Sequence, residues 1–479
     1  MNCYYLFKFE QKTGLPKISR IIENKFPYPP TEGQKELFQQ FDQLLESGME
    51  RSTLLIRGYA GTGKTTSIAG FVKALPLFNF KSLLLAPTGR AAKVVSNYSG
   101  HAAFTLHKII YRKSADPGTG ELIFTRQKNN HRKTVFIVDE ASMIQEENQY
   151  GQSSMLRDLI SYIFENPTNK LVLLGDDAQL PPVGYPYSGA LDVNNLTDNY
   201  DLGLIEVTLT DVVRQEEDSG ILNYATRLRR AISGKPEKIK INPGRFSDVI
   251  TISSEQLEDV LRKVYDEFGS ENSVVICRSN REAVSMNRHI RNRILFREDD
   301  LESGDTIMVV RNNYFWLPED SKTGFLANGD FAEVLKISNR EERYGHNFAD
   351  LTLRLIDYPV QEPFEAKVML DTLYSLNPSL PPAESQAFFH KVMDEYNISR
   401  SGNSKAHQAS DPYINALQIK FTYAITCHKS QGGQWPAVLI KQGFRQPFIP
   451  DKEYLRWLYT AVSRATKICY FVDFMNDLF

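Results

Sequence analysis

The sequence predicts an α/β fold of parallel sheets flanked by helices, and three observations carry that prediction. Between residue 53 and about 210, short β-rich runs alternate with helical patterns. Each apolar run stops where small or polar residues begin, which is where open α/β sheets place ligands. A second block of the same kind starts near residue 273 and resumes towards the C-terminal end.

The strand candidates of the first block are "TLLI", "SLLLA", "TVFIV", "LVLLG" and "IEVTL"; those of the second are "SVVIC", "IKFTYAI", "AVLIKQG" and "ICYFV". Between the two parts of the second block the character changes. "GDTIMVVRNNYFW", "FAEVLKI" and "LTLRLIDY" alternate in hydropathy around the turn pair Asn328-Gly329, so a small β-domain is expected as an insertion. The stretch "LNPSLPPAESQAFFHKVMDEYNI" enlarges that insertion, and "SRSGNSKAHQAS", 399–410, reads as a loop. In 111–130, Asp116-Pro117-Gly118-Thr119-Gly120 is strong turn chemistry between extended residues and predicts a projecting hairpin. The expected division is an N-terminal segment, 1–27; a first domain, 28–110 with 131–205; the hairpin, 111–130; a second domain, 206–300 with 412–479; and the inserted domain, 301–411. The arginine-rich helix "NREAVSMNRHIRNRILFR" aligns Ala283, Met286, Ile290 and Ile294 on one side, with its arginines expected in solvent.

Composition narrows the function classes. At 479 residues, with 42% hydrophobic and 24% charged residues, the chain is a multidomain globular protein. A net charge of −2 argues against a basic tail that coats nucleic acid, while leaving room for a local basic groove. Cys3, Cys277, Cys427 and Cys469 include no close-spaced pair, which speaks against a zinc ribbon or a disulfide framework and for a reducing cytoplasm. The short apolar patch "CYYLF" is cut off by Lys8 and Glu10, so neither a signal peptide nor a membrane span is expected.

The chemistry-bearing motifs sit at strand ends. "GYAGTGKT", 58–65, meets G-x-x-x-x-G-K-[ST] in full between a strand and an amphipathic helix. Its backbone N–H groups would cradle phosphates, with Gly58, Gly61, Thr62, Gly63, Lys64, Thr65 and Thr66 as the ATP loop, Lys64 on the β and γ oxygens and Thr65 on Mg²⁺. Asp139 and Glu140 follow a fully apolar strand, where the first can hold Mg²⁺ and the second activate water. Gln179, in "LLGDDAQLPPVG", can report the γ-phosphate. Gln34, behind the candidate N-cap Thr31, either presents its amide to an adenine edge or lies on the helix surface. Arg214 and Arg464 are candidates for the arginine that phosphoryl transfer places on developing charge.

The P-loop, "APTGRAA", "TLHK", "VDEASM", "GDDAQLPPVG", "VVRQ", "CHKSQGGQW" and "YTAVSRA" together resemble the superfamily 1B DNA helicases of the RecD-like, Dda-like and Pif-type, in the family's order from about residue 28 to 472. The resemblance implies two RecA-like domains with ATP and Mg²⁺ in the cleft between them, and a small Src-homology-3-like barrel inserted in the second. It assigns catalytic roles to Lys64, Asp139, Glu140, Gln179, Arg214 and Arg464, and places Gln34, Gln431 and Gly432 with the nucleotide. On the DNA side it implies Thr88, Arg90, Thr105, His107, Thr426, His428, Lys429 and Ser430. Stacking on bases falls to Phe104, Tyr314, Phe315, Trp316 or Trp435. The hairpin becomes a duplex-splitting pin. The implied activity is 5′→3′ movement of a monomer on single-stranded DNA with unwinding at duplex junctions. The nucleotide motifs begin almost at once, so a compact stand-alone enzyme is expected. An RNA helicase, or a translocase that strips proteins, is the alternative; a non-hydrolysing nucleotide switch would need neither the acidic pair nor the arginines.

Overall fold

The computed structural model describes residues 16–115, 122–144, 154–211, 219–234, 244–313, 315–318, 325–358, 361–398, 411–443 and 451–474. Its first domain is a six-stranded parallel sheet. The strands are β1 (Thr53–Gly58), β2 (Lys81–Ala86), β3 (Ala103–Thr105), β6 (Thr134–Val138), β7 (Lys170–Gly175) and β8 (Leu204–Leu209), in the order β3-β2-β6-β7-β1-β8. Alternate residues of the central strands feed two cores. Leu54, Ile56, Val135, Ile137, Val172 and Leu174 pack under the helices Ile18–Lys25, Glu32–Glu46 and Lys64–Ala74. Leu55, Phe136, Val138, Leu171 and Leu173 pack under Met155–Ile163 on the other face. Burial on both sides is why these strands read as unbroken apolar runs. Between β3 and β6, β4 (Tyr111–Ala115) and β5 (Leu122–Arg126) pair antiparallel as a separate ribbon; residues 116–121, which include the expected turn, lie outside the described residues.

The second domain is a five-stranded parallel sheet, formed by β9 (Val249–Ile252), β10 (Ser273–Cys277), β16 (Ala424–Thr426), β17 (Trp435–Lys441) and β18 (Ala465–Val472). Its order is β16-β10-β17-β18-β9. Inserted after β10 is a closed five-stranded barrel of β11 (Thr306–Val309), β12 (Phe331–Arg343), β13 (His346–Leu355), β14 (Phe364–Met369) and β15 (Leu417–Phe421). The fold is thus two RecA-like domains with a small barrel in the second. Within the stretch that enlarges the insertion, Pro382–Ile398 forms a helix that covers the barrel through Phe388 and Val392 against Phe348 and Met369.

Two expected boundaries move. β8 pairs with β1 along its whole length, so the first domain runs to 209 rather than 205. "IKFTYAI" is not one strand: Leu417–Phe421 closes the barrel against β11, and Ala424–Thr426 joins β10. The barrel therefore extends past 411. The switch occurs at Thr422 and Tyr423, whose hydroxyls bond Thr306 and Asp305 at the start of β11 (2.6 and 3.0 Å).

The arginine-rich helix differs in one residue. Ala283, Met286, Ile290 and Ile294 face the core as expected, but Arg291 is also buried, at 1% exposure. The last turn is π-helical, Ile290–Ile294, and the wider turn swings position 291 inward. There Arg291 meets Asp305 bidentately (Nε–Oδ1 3.1 Å, Nη2–Oδ2 2.8 Å) and donates to the Tyr374 hydroxyl (2.7 Å), with Phe421 under its guanidinium. The pair rivets the second domain to the barrel.

The barrel also touches the first domain, at the start of helix Gly89–Ser99. Lys93 donates to the Ile356 carbonyl (3.0 Å) and pairs with Asp357 (3.4 Å). Asp330, 1% exposed, approaches Gly89 so closely that a Cβ there would lie 2.1 Å from its Oδ1 and 2.7 Å from the Tyr358 hydroxyl. Asp330 Oδ2 accepts from the Ala327 N–H (2.7 Å), while Oδ1 is buried without a partner. Burial, with Asp357 nearby, pushes the Asp330 carboxyl up to about 8.

Two stability outcomes are expected. Arg291→Ala strands the Asp305 carboxylate in the interior and should cost about 3–5 kcal/mol, read as a lowered urea midpoint. For Asp330, the unfolded chain ionises near the usual carboxylate value, while the folded protein holds the proton up to about 8. Wild-type stability therefore falls as pH rises through that window. Asp330→Asn cannot ionise, so its stability relative to wild type should climb across the same window and then level off; a pH-independent difference in urea midpoints would contradict the raised acid.

Candidate nucleotide cleft and strand-binding face

Strand β1 delivers the chain into a loop whose shape depends on two left-handed glycines, Gly61 (φ 82°) and Gly63 (φ 78°). Gly63 then caps the helix Lys64–Ala74, so the loop's N–H groups gather at a helix N-terminus. Lys64 lies across the loop, its ammonium on the carbonyls of Gly58 and Tyr59. Thr62 is buried and donates its hydroxyl to Tyr59 O (2.9 Å). Gln34 is not a surface residue. It is 1% exposed, its Oε1 accepts from Thr31 N in a capping box, and its Nε2 donates to Thr62 O (3.1 Å), so it braces the loop from below. Thr65 follows Lys64 on the same first turn, whereas Thr66 lines a separate apolar cavity of about 270 Å³ with Phe26, Ala69 and Leu77.

At the end of β6, Asp139 donates its N–H to Leu85 O, and its Oδ1 accepts from Glu140 N (2.8 Å). Glu140 sits in the left-handed region at φ 51°. Burial raises both carboxyls; Lys64 opposes that at Asp139, and Arg464 opposes it at Glu140. Arg464 comes from the second domain, 4% exposed, with Nη1 4.0 Å from Glu140 Oε1. It is fixed by Thr460 O, Gly433 O and Ser463 Oγ. Arg214 falls outside the described residues.

Gln179 is buried on the loop after β7, its Oε1 without a partner, beside a polar cavity of about 260 Å³ that also contains Ser142, Asp176 and Arg456. The second domain holds this loop at several points. Tyr459 donates to Asp176 Oδ2 (2.6 Å), Thr460 Oγ1 accepts from Leu180 N (2.9 Å), and Gln431 Nε2 donates to Leu180 O (2.7 Å). Arg456 donates to Pro186 O (2.9 Å). Gln431 thus reaches the Gln179 loop rather than the phosphate loop. Gly432, expected with the nucleotide, instead packs against Ala91 and Thr88.

The strand-binding candidates divide. Thr88 caps the helix Gly89–Ser99 (Oγ1 from Ala91 N, 3.2 Å). Thr426 and His428 are half-buried, and burial lowers His428. Lys429 donates to Asn328 Oδ1 of the barrel turn (2.6 Å), and burial brings its ammonium down to about 8. Four others face inward. Arg90 is clamped between Trp435 and Phe331, its guanidinium 4.0 and 4.3 Å from the ring centres, and burial lowers its pKa. Thr105 uses its buried hydroxyl to cap Lys108 N, and Ser430, fully buried, donates to Cys427 O. His107, its ring tilted against Tyr111 and near Phe325 of the barrel, is driven by burial to about 4 and carries no charge at neutral pH. Thr105 and Ser430 spend their hydroxyls on bonds within their own turns, while Arg90 is enclosed by rings of the barrel and second sheet and burial leaves His107 neutral.

Of the stacking candidates, Trp435 is buried under Arg90. Trp316 is half-buried with its Nε1 on Asn415 O (2.7 Å), Phe104 and Phe315 are half-buried, and Tyr314 is outside the described residues. The sequence reading missed Arg456, Tyr459 and Thr460. Their signal was present: with Ser463 and Arg464 they form a polar stripe at i, i+3, i+4, i+7 and i+8 along the helix Lys452–Val462, which is otherwise apolar after its first two residues, and the turn that ends it.

Residues 31–241 match the AAA domain family, and residues 421–472 match the UvrD-like helicase C-terminal domain. The chain is 25% identical over 433 residues to the ATP-dependent DNA helicase dda of Enterobacteria phage T4, covering 84% of this chain and 90% of that protein. It is 22% identical over 475 residues to the uncharacterized protein R530 of Acanthamoeba polyphaga mimivirus, covering 86% and 93%. A shorter match, 27% over 183 residues, links 35% of the chain to 23% of the ATP-dependent RecD2 DNA helicase of Deinococcus radiodurans. Among solved structures, a Bacteroides Pif1 helicase in complex with ADP-AlF3 and ssDNA aligns over 93% of both chains at 16% identity, with a TM-score of 0.46. An AAA domain match thus lies ahead of a UvrD-like helicase C-terminal domain match in one chain, in agreement with the helicase resemblance of its motifs.

Proposed function

We propose that the protein is an ATP-dependent DNA helicase that moves 5′→3′ on single-stranded DNA and opens duplex junctions. The observation that carries the reading is the approach of Arg464, from the second domain, to Glu140 at the strand ends of the first, beside a complete phosphate loop. Phosphoryl transfer is mostly positioning and charge stabilisation, and a cleft between two domains supplies both only when it is closed.

In this reading the loop N–H groups and Lys64 receive the phosphates of ATP. Thr65 and Asp139 would hold Mg²⁺, which neutralises charge on the phosphate oxygens; the fit rests on the desolvated Asp139 carboxyl, whose Oδ2 takes no hydrogen bond among the described residues. Glu140 orients and deprotonates the attacking water, its basicity raised by burial. Arg464 stabilises the charge that develops on the transferred group, and Gln179 senses its departure. The strand lies across Thr88, Thr426, His428 and Lys429, where the two sheets and the barrel meet. The ribbon β4–β5 acts as the pin. The buried free thiols Cys277, Cys427 and Cys469 fit a reducing, cytoplasmic setting, and the chain works as a monomer.

Unwinding of 5′-tailed and 3′-tailed DNA duplexes with ATP, alongside matched RNA, tests activity, substrate and polarity together; only the 5′-tailed DNA should open. Lys64→Ala should reduce ATP turnover to background while circular dichroism stays native. Lys429→Ala should lower DNA-stimulated turnover by about 10-fold and DNA-free turnover by much less, because a phosphate contact acts through the strand. Equal losses would move Lys429 from the strand to the nucleotide.

A further inference from the structure

The hydroxyl of Tyr459 reaches from the second domain to the backbone of the phosphate loop itself. Tyr459 is 1% exposed and stands on helix Lys452–Val462. It donates to Asp176 Oδ2 (2.6 Å) and accepts from the Ala60 N–H (3.0 Å). Asp176 is held in turn: its Oδ1 accepts from Ala178 N (3.0 Å), and Lys64 is the largest influence opposing the burial that raises its carboxyl. One residue before Ala60, the Tyr59 ring lies under the Arg229 guanidinium, 4.2 Å from its centre. The second domain therefore holds residues 59 and 60 by a ring face and by a backbone N–H.

That N–H belongs to the same rigid peptide plane as the Tyr59 carbonyl. The carbonyl accepts from Lys64 Nζ (3.0 Å), from Thr62 Oγ1 (2.9 Å) and from Thr62 N (3.3 Å). Turning the Tyr59–Ala60 peptide would therefore displace the seat of the lysine and the middle of the loop at once.

We propose that Tyr459 is a positioning residue for ATP hydrolysis: its hydroxyl, carried by the second domain, sets the Tyr59–Ala60 peptide and through it the seat of Lys64, so that phosphoryl transfer is registered to closure of the cleft. The proposal rests on the reading of the cleft as an ATP-hydrolysing site. Asp176 is the fixed end of the link, because its buried carboxyl fixes the direction in which the hydroxyl donates and leaves the oxygen lone pair for Ala60.

The test uses the full chain with Tyr459→Phe, Asp176→Asn and the double variant. Tyr459→Phe keeps the ring in its packing and removes only the hydroxyl. ATP turnover is measured with saturating oligo-dT, nucleotide affinity with a fluorescent ADP analogue, and folding by thermal unfolding. The expected result is a kcat lower by about 10-fold or more, with KM and ADP-analogue affinity changed by less than about twofold. The double variant should be no worse than the more damaged single one, as residues acting as a unit behave. Turnover equal to wild type, losses that multiply in the double variant, or a kcat loss matched by weaker ADP binding and a lower unfolding temperature would each overturn it. Wild-type protein without ATP turnover would remove the underlying reading and this proposal with it; turnover in wild type that Tyr459→Phe retains would remove only the proposal.

Discussion

The arrangement depends on one constraint: polar groups at the ends of two parallel sheets are buried against each other and must satisfy one another across the cleft. Asp176, Gln431 and Thr460 are all less than a tenth exposed, and each finds a hydrogen-bond partner across the domain junction, while Arg464, equally buried, is held within its own domain and faces Glu140. A buried polar group without a partner costs about 1–3 kcal/mol, so these bonds make a poor adhesive but a sharp specification of geometry. Water can replace every one of them when the cleft opens. The junction is therefore suited to two discrete arrangements, closed with its own bonds or open and hydrated, with little gained in between.

The barrel takes part in that choice. Its interior is continuous with one face of the second sheet: Ile307, Val309, Leu351 and Phe421 share a core with Val275 and Leu439. Together with the Arg291–Asp305 rivet, this makes barrel and second domain one packed body. Against the first domain the same barrel has a different kind of contact, chiefly a helix start covered by Asp330, Tyr358 and the Lys93–Asp357 pair. Arg90 extends from that helix into a slot made half by the barrel, Phe331, and half by the second sheet, Trp435. A cation between two aromatic faces tolerates sliding better than a fixed hydrogen bond does, because the ring's attraction varies slowly across its face. The start of helix Gly89–Ser99 is thus placed to follow the relative motion of the two bodies.

What could be read in the sequence follows from where the information lies. Strands such as Thr134–Val138 are covered on both faces, so composition alone marks them, and the phosphate loop is a local pattern with a local cause. "IKFTYAI" misled because both halves are apolar and extended. The turn from barrel to sheet is made by two hydroxyls bonding residues more than 110 positions earlier in the chain, where no periodicity points. Arg291 was misplaced because one π-helical turn breaks the 3.6-residue rule that sent it outward. Thr105, Ser430 and His107 were given to the strand by motif, but a motif records residue type and not which way a side chain turns. The polar stripe of helix Lys452–Val462 was legible in spacing, and its meaning lay in Asp176 and Ala60, 283 and 399 residues away.

The segment Lys429–Gly433 shows why such a junction needs an irregular connection. Lys429 reaches Asn328 in the barrel turn, and Ser430 ties the short helix Cys427–Ser430 to itself. Gln431 holds Leu180 on the loop of Gln179, Gly432 lies against Ala91 and Thr88, and the Gly433 carbonyl steadies Arg464. Five consecutive residues thus address the barrel, their own turn, the loop of Gln179, the start of helix Gly89–Ser99 and the arginine. A regular helix would repeat its direction every 3.6 residues and a strand every two, so neither could aim five neighbours at five targets. Gly432, at φ 73°, reverses the backbone where a side chain would strike Ala91. A shift of Lys429 must then move Gln431, two residues on, unless the turn between them yields. The buried Ser430–Cys427 bond opposes that yielding, which links the barrel turn at Asn328 mechanically to the loop that carries Gln179.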